Sequence, residues 1–186
     1  MILLKKEIVK RVDMIGLSSK KVKIVEYTSD WKKEYNQEKE ILCDLLKSVI
    51  VEIEHVGSTS IPNCAAKPVI DIAIGVKSKN DFEIVKSILL KAGYYHSEKA
   101  GAEDRMFFSK GEEDNRTHNI HVDIYKGISW NYHVNFRDYM IENPDEIVVY
   151  SQLKKQLQKK YENNRKEYTK SKDEYIKMVL CKYNEL

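Results

Sequence analysis

The residues best suited to chemistry lie in one segment, where a turn of small residues is followed by a carboxylate on an apolar strand. Gly57, Ser58 and Thr59 follow the strand-like run Ile50–Val56, and Asp71 lies within the next apolar run. A glycine lets an anion approach the backbone closely, and the two hydroxyl groups can donate to phosphate oxygens. Asp71 offers the hard oxygen ligand that Mg²⁺ prefers. The spacing predicts a site that holds phosphates and a divalent cation.

Three further residues are candidates for the same site. Lys67 precedes the Asp71 strand and can bind phosphate. Asp123 lies on the strand-like run Ile120–Tyr125, and alternation places His121 on the same side of that strand. Asp123 is a candidate to share a metal ion with Asp71, and His121 is a candidate general base. Each also has a structural alternative, since buried carboxylates and histidines are often held by hydrogen bonds or ion pairs for stability alone.

The elements that would position these residues form an early sheet and late helices. Strands are predicted at Val22–Tyr27, Ile50–Val56, Val69–Val76 and Ile120–Tyr125. One or two further strands are predicted at Tyr94–Tyr95 and Met106–Ser109, with 111–117 as a polar loop. Helices are predicted from Ser29 or Asp30, from Asn80 or Asp81 to Gly93, and at Trp130–Glu142, Asp145–Glu162 and Lys170–Tyr183. This order predicts an α/β (α+β) fold in one domain over residues 1–186, a mixed β-sheet flanked by helices with a helical C-terminal part at 129–186.

Composition excludes several classes of protein. Hydrophobic residues make up 42% of the chain and charged residues 33%, which excludes a disordered or membrane-embedded chain. Apolar runs are too short to span a bilayer and no secretory signal is visible, so we expect a cytoplasmic protein. The three cysteines are far apart and form neither a disulfide framework nor a zinc motif.

The charge is distributed unevenly along the chain. Residues 151–186 contain ten Lys or Arg against five Asp or Glu, whereas the whole chain has a net charge of +3. Such a basic segment can attract RNA. The alternative is a solvated helix face, since acidic residues are interspersed and aromatic residues do not alternate with the basic ones.

Three motifs in order resemble one family. They are His55-Val56-Gly57-Ser58-Thr59 with Ala66-Lys67-Pro68-Val69-Ile70-Asp71-Ile72, the opening run Val25–Trp31, and Asn135-Phe136-Arg137-Asp138-Tyr139. Together they closely resemble the GrpB family. The resemblance covers Val22 to Ile176 and leaves residues 1–21 as an N-terminal extension.

That family is grouped with the polymerase-β-type nucleotidyltransferases, and the resemblance carries their properties as expectations. It implies a nucleotidyltransferase-like fold and Mg²⁺- or Mn²⁺-dependent transfer of a nucleotidyl group from a nucleoside triphosphate to an acceptor. Gly57 and Ser58 look like the first part of that signature, and Asp71 looks like its first carboxylate. Ala73 stands where an active transferase carries a second carboxylate. The alternative is a non-catalytic module that binds nucleotide or RNA on a degenerate nucleotidyltransferase fold.

Overall fold

A mixed sheet forms the centre of the protein, whose computed structural model describes residues 15–18, 21–112 and 114–184. The strands of the described residues are β1 (Ile50–Val56), β2 (Ile70–Val76), β3 (Tyr95–His96), β4 (Arg105–Glu112) and β5 (Asn115–Ile124). Their order in the sheet is β1-β2-β5-β4-β3. β2 and β5 are parallel and the other neighbours are antiparallel. The predicted mixed sheet is confirmed.

Helices cover both faces of this sheet. They are α1 (Asp30–Leu46), α2 (Phe82–Lys91), α3 (Ile128–Glu142), α4 (Pro144–Lys160) and α5 (Arg165–Asn184). α1 and α2 bury their apolar side chains against one face, whereas α3, α4 and α5 form a second apolar cluster. None of the described helices is long and apolar enough to cross a membrane.

Alternation along β2 separates the main core from the polar residues of the sheet. Ile70, Ile72 and Ile74 are fully buried in the core under α1 and α2. Asp71 and Ala73 lie between them in sequence and therefore face the opposite side, towards the C-terminal helices. The same period of two on β5 places its odd-numbered residues on that second face.

α3 is fastened to the end of β1 and lies across the second face. Arg137 Nη1 donates to Glu54 Oε2 at 2.6 Å and to the backbone carbonyl of His55 at 2.9 Å. Arg137 Nε also donates to Asp138 Oδ1 at 2.7 Å. These bonds make Arg137 the residue that anchors the helix to β1. The anchor fixes α3 beside the turn that begins at Gly57.

Two predicted segments differ most from the structure. The strand expected at Val22–Tyr27 is reduced to one bridge between Val25 and Ala66, because Ile24 N donates to the Gln158 side chain instead of to a strand. The loop expected at 111–117 is mostly strand. Gly111 pairs with Arg116 in the hairpin between β4 and β5, since ladder hydrogen bonds form regardless of side-chain polarity.

The helix boundaries follow their end signals. α2 is preceded by a capping box in which the Ser78 and Asp81 side chains bond reciprocally with the backbone. α4 begins at Pro144, where the missing N–H is tolerated. The predicted N-terminal extension, 1–21, lies mostly outside the described residues. Of its few described residues, Ile15 is buried and Gly16 N donates to Pro68 O at 2.7 Å.

Candidate phosphate-binding site

The turn after β1 has a backbone that requires glycine at its first position. Gly57 has φ 69° and ψ −174°, a region that side chains essentially exclude. A Cβ atom at this position would lie 2.6 Å from Asp71 Oδ2, so the carboxylate is packed directly against the turn. Ser60 Oγ donates to the Gly57 carbonyl at 2.6 Å and closes the short 3₁₀ turn Ser58–Ser60. Sequence and structure agree on a rigid small-residue turn beside Asp71.

His55 contacts this turn through the Thr59 side chain. Its Nε2 lies 3.0 Å from Thr59 Oγ1, and its ring stacks on Tyr35 with centroids 4.6 Å apart. Burial lowers the pKa of His55 to about 4, so the imidazole is neutral at physiological pH. His55 therefore orients the buried Thr59 side chain rather than offering charge to a ligand.

Asp71 is held in its ionised form. Asn119 Nδ2 donates to Asp71 Oδ1 at 2.8 Å, and His121 Nε2 lies 3.7 Å from the same oxygen. Burial would raise the pKa of Asp71, but His121, Asn119 and the nearby Lys67 ammonium together hold it far below its usual range. The result is a fixed negative charge next to Gly57.

The structure does not bring Asp123 to Asp71. Asp71 pairs with Asn119 across the parallel ladder, whereas Asp123 pairs with Gly75. The four intervening steps carry Asp123 roughly 13 Å along the sheet, at 3.3 Å per residue. The parity expected for Asp123 is correct, but its position is not beside Asp71. Asn119, which precedes the predicted strand Ile120–Tyr125, lies beside Asp71 where Asp123 was expected.

Asp123 lies instead in a buried environment of its own. It is completely inaccessible to solvent, and neither carboxylate oxygen has a hydrogen-bond partner among the described residues. Burial raises the pKa of Asp123 to about 6, although His121 and Arg105 oppose that change. Arg105 is its direct cross-strand partner on β4.

Ala73 is covered by a helix. It is fully buried in a small apolar cluster with Val56 and Trp130, against which Tyr125 and Val134 also pack. A side chain at position 73 therefore points into α3 rather than into a solvated cleft. Position 73 therefore lacks the carboxylate of an active transferase, and the space around it is filled by apolar side chains.

The positions of Asp71, Ala73 and Asp123 decide whether the site can hold the divalent ions expected for a nucleotidyltransferase. Two-metal transfer needs carboxylates that clamp a pair of ions about 4 Å apart. Among residues 15–18, 21–112 and 114–184, no three His, Cys, Asp or Glu side chains are arranged to hold a metal ion. Asp71 therefore stands as a lone carboxylate beside the turn, and the donor set does not fit a two-metal centre.

A cavity of about 500 Å³ opens over the turn and Asp71. Its floor is the sheet and its wall is formed by α3, α4 and α5. Six of the seven residues predicted for the site line it together, whereas Asp123 is absent from its lining. The six are Gly57, Ser58, Thr59, Lys67, Asp71 and His121.

Cations from several elements line this cavity, most of them absent from the predicted site. They are Lys67, Arg105, Lys154, Lys172 and Lys177. Burial, reinforced by the nearby cations Arg165 and Lys172, lowers the pKa of Lys67 to about 7. Burial likewise lowers the pKa of Lys154 to about 8. In both lysines burial disfavours the ammonium form, and the nearby Lys172 adds to that effect.

Two histidines close the inner end of the cavity. His121 and His133, from β5 and α3, have ring centroids 4.3 Å apart. His121 Nδ1 and His133 Nε2 are buried and lack a hydrogen-bond partner among the described residues. Burial lowers the pKa of His133, and the neighbouring His121 adds to that effect. His133 has no signal in the sequence, because only the crossing of α3 over β5 brings it to His121.

Comparison with known proteins assigns the family. Residues 21–182 match the family model described as GrpB protein. The chain belongs to the GrpB family. The predicted resemblance is thereby confirmed over most of the chain, including β1, the turn, β2 and the C-terminal helices.

Relatives of known sequence agree with this membership. The chain is 36% identical over 171 residues to the glutamate-rich protein GrpB of Alkalihalophilus pseudofirmus, covering 90% of this chain and 98% of that protein. It is also 36% identical over 158 residues to the UPF0157 protein YqkA of Bacillus subtilis, covering 85% of this chain but 46% of that protein. Neither name states an activity.

Solved structures extend the comparison to the fold. The GrpB protein of Enterococcus faecalis superposes with a TM-score of 0.79 at 31% identity, covering 87% of this chain and 96% of that one. The Cid1 poly(U) polymerase superposes with a TM-score of 0.53 at 13% identity, covering 73% of this chain and 44% of the polymerase. The GrpB chain therefore has a nucleotidyltransferase-type fold, as predicted.

Proposed function

We propose that this GrpB protein binds a nucleotide, with the phosphates at the Gly57-Ser58-Thr59 turn, and that it is a binding module rather than a two-metal transferase. The observation that carries the proposal is the shared cavity. The turn, Lys67 and Asp71 all line one space of about 500 Å³, which falls within the range of small-molecule sites. The nucleotidyltransferase-type fold supports the same location for the phosphates.

The chemistry of the turn favours an anion. A phosphate oxygen at Gly57 meets no Cβ atom, and the Ser58 hydroxyl of the same turn can donate to it. Lys67 Nζ lies 5.5 Å from the centre of the Tyr168 ring and faces the same cavity. A charged donor in a poorly solvated pocket makes a stronger hydrogen bond to phosphate than it would in water.

The surroundings of Asp71 favour binding over transfer. Ala73 is covered by Trp130, and Asn119 rather than a carboxylate lies beside Asp71. Nucleotidyl transfer needs negative groups that hold metal ions against the reacting phosphate. Those groups do not meet at this turn, so we derive no transfer step for it.

RNA is a second candidate ligand, favoured by a shallow basic surface of α5 beside the cavity. Arg165, Lys166 and Lys170 line this surface, which shares Thr169 and Asp173 with the cavity. An RNA bound there would place its backbone along α5 and would be released by salt. A nucleotide held inside the cavity would depend less on salt, because buried charge pairs are screened less than exposed ones.

Thermal unfolding with and without ligand tests the proposed function. We expect nucleoside triphosphates to raise the melting temperature and the corresponding nucleosides to have no effect. A ligand at 100 times its dissociation constant stabilises the folded state by about 2.7 kcal/mol, which is a readily measured shift. If no nucleotide raised the melting temperature, the proposal would fail. Release of pyrophosphate that disappeared in Asp71→Asn would restore the transferase interpretation.

A further inference from the structure

We propose that the cavity holds a polyphosphate chain directly through lysine side chains, without a divalent cation between protein and phosphate. This inference rests on the proposed function, since it names how the same cavity would recognise its ligand. It assigns to lysines of the β1–β2 connection and of α5 the neutralising role that metal ions have in two-metal enzymes.

The cavity is lined by more basic side chains than carboxylates. Five lysine or arginine side chains line it, against two carboxylates, Asp71 and Asp173. Asp173 is already engaged, since Lys177 Nζ lies 3.0 Å from its Oδ2 and Tyr132 donates to its Oδ1 at 2.5 Å. Asp71 is engaged by Asn119 and His121. An anion of several charges would balance the remaining cations.

Two of those cations have no carboxylate partner. Within the part of the chain that the structure describes, Lys67 faces the Tyr168 ring and makes no ion pair. Lys172 lines the cavity from α5 and makes no ion pair with any described carboxylate. The two lysines are close enough for each charge to act on the other. Such mutual repulsion is relieved when a multiply charged anion lies between them.

Lys154 of α4 adds a third amine to the wall of the cavity. It is 1% exposed, and its Nζ lies 3.1 Å from the Cys64 sulfur and 4.1 Å from the centre of the Tyr150 ring. Neither contact is made with a carboxylate. A phosphate group would therefore be the charged partner that this buried amine lacks.

The surroundings leave little for a metal ion to bind. One oxygen of Asp71 accepts the Asn119 amide, and Ala73 is packed beneath Trp130. A divalent cation would also enter a space already rich in ammonium groups, which is electrostatically unfavourable. Mg²⁺ in solution should therefore compete with the lysines for the phosphate oxygens rather than assist binding.

Calorimetric titration of the wild-type protein with ATP and with inorganic tripolyphosphate tests this inference. Each titration is run once in EDTA and once in excess Mg²⁺. We expect both anions to bind in EDTA at least as tightly as in Mg²⁺. If ATP bound more than tenfold more tightly in Mg²⁺, the inference would be overturned while the proposed function stood. Binding of ATP but not tripolyphosphate in EDTA would overturn it too, since the nucleoside would then carry the affinity.

Failure of ATP to bind in either buffer would overturn the inference and the proposed function together.

Variants locate the contact between the phosphate chain and the protein. Lys172→Gln should weaken tripolyphosphate binding in EDTA about tenfold, equivalent to about 1.4 kcal/mol, whereas Lys159→Gln, at an exposed position of α4 outside the cavity, should leave it unchanged. Asp71→Asn removes a negative charge and should bind tripolyphosphate no more weakly than the wild type. A loss of more than tenfold in a folded Asp71→Asn protein would show that the carboxylate assists binding, against the inference.

Discussion

At the scale of single residues, Gly57 determines whether the turn and Asp71 can lie side by side. Its φ of 69° is strained for any side chain, and a Cβ atom would lie 2.6 Å from Asp71 Oδ2. We expect Gly57→Ala to lower the free energy of unfolding by the strain of roughly 1–3 kcal/mol plus the cost of displacing Asp71. It should also abolish nucleotide binding, because the phosphate oxygens would meet the new methyl group. Chemical denaturation and ligand titration measure the two effects.

Gly93→Ala is the matched control for that substitution. Gly93 also has a positive φ, of 86°, but nothing lies within 4 Å of the added Cβ atom. It should therefore lose only about 1–2 kcal/mol, the ordinary cost of a left-handed residue with a side chain. It should bind nucleotide like the wild type. Equal losses of binding in the two variants would contradict the role assigned to Gly57.

Asp123 is expected to limit stability rather than to bind metal. Its pKa of about 6 in the folded protein lies above 3.8, the ordinary pKa of an aspartate side chain. The folded state therefore keeps a proton that the unfolded state loses, and the contribution of Asp123 to stability falls as pH rises from 4 to 6. Asp123→Asn removes this titration. The gain in stability of Asp123→Asn over the wild type should grow across that pH range and then level off.

Equilibrium denaturation at pH 4, 5, 6 and 7.5 measures this difference. His121, Arg105 and Asp104 also act on the Asp123 carboxyl, so each must be intact in both proteins that are compared. A stability difference that did not change with pH would mean that Asp123 is ionised in the folded state. That result would contradict the buried, unpaired environment described for it.

Lys67 makes ligand binding depend on pH above neutrality, whereas Asp123 acts on stability below it. Its pKa of about 7 in the unliganded cavity means that the ammonium form becomes scarce above neutrality. A bound phosphate favours the ammonium form, so binding above pH 7 takes up a proton. We expect affinity for tripolyphosphate to fall as pH rises from 7 to 9, and Lys67→Gln to lessen that fall. Titrations in buffers of different ionisation enthalpy count the proton, and no uptake at pH 8 would contradict this assignment.

At the scale of elements, the placement of α3 determines what the sheet can offer. Arg137 fastens α3 to β1, and Trp130 then covers Ala73. We expect Ala73→Asp to lower the free energy of unfolding by about 3 kcal/mol or more, because a charge would be buried without a partner. Mg²⁺ should not restore stability, although the substitution supplies the carboxylate typical of the superfamily. Thermal unfolding with and without Mg²⁺ provides the measurement.

Ala73→Asn separates the charge from the change in size. It has the shape of the aspartate variant without its negative charge, so it should be less destabilised at neutral pH. If Mg²⁺ raised the melting temperature of Ala73→Asp by several degrees and left Ala73→Asn unchanged, position 73 would be able to join a metal centre. That outcome would contradict the interpretation that α3 closes this part of the site.

Much of the sheet could be predicted because its central strands alternate clearly. Ile50–Val56 was predicted with its observed bounds, and β2 begins one residue after its predicted start. β5 was predicted only from Ile120, because the five residues before it are polar and resemble a loop. That segment contains Asn119, the neighbour of Asp71. Because the start of β5 was not predicted, Asp123 rather than Asn119 was expected to lie beside Asp71.

The site could be predicted only where its residues are close in sequence. The turn and Asp71 lie within one segment, and the structure indeed places them in contact. Lys154 and Lys172 come from α4 and α5, and their positions on the cavity wall follow from how those helices pack. The sequence pattern of an amphipathic helix predicts that its lysines are solvated, and only the packing of the helix shows otherwise. Periodicity alone therefore could not assign them to the site.

At the scale of the whole molecule, the sheet separates a stable core from a functional cavity. The apolar residues under α1 and α2 fix the strands, while the opposite face leaves room between β2 and the C-terminal helices. The fold is shared with the Cid1 poly(U) polymerase. A shared fold does not carry a shared activity, since activity depends on the side chains of the site. In this GrpB protein those side chains include more cations than carboxylates.

The most direct test of this account is a crystal structure of the protein grown with a non-hydrolysable nucleoside triphosphate in the presence of EDTA. We expect the triphosphate to lie against the Gly57-Ser58-Thr59 turn, with Lys67 and Lys172 in contact with its oxygens and no metal ion beside Asp71. A triphosphate bound elsewhere on the protein would contradict the account. So would crystals at saturating nucleotide in which the cavity holds none.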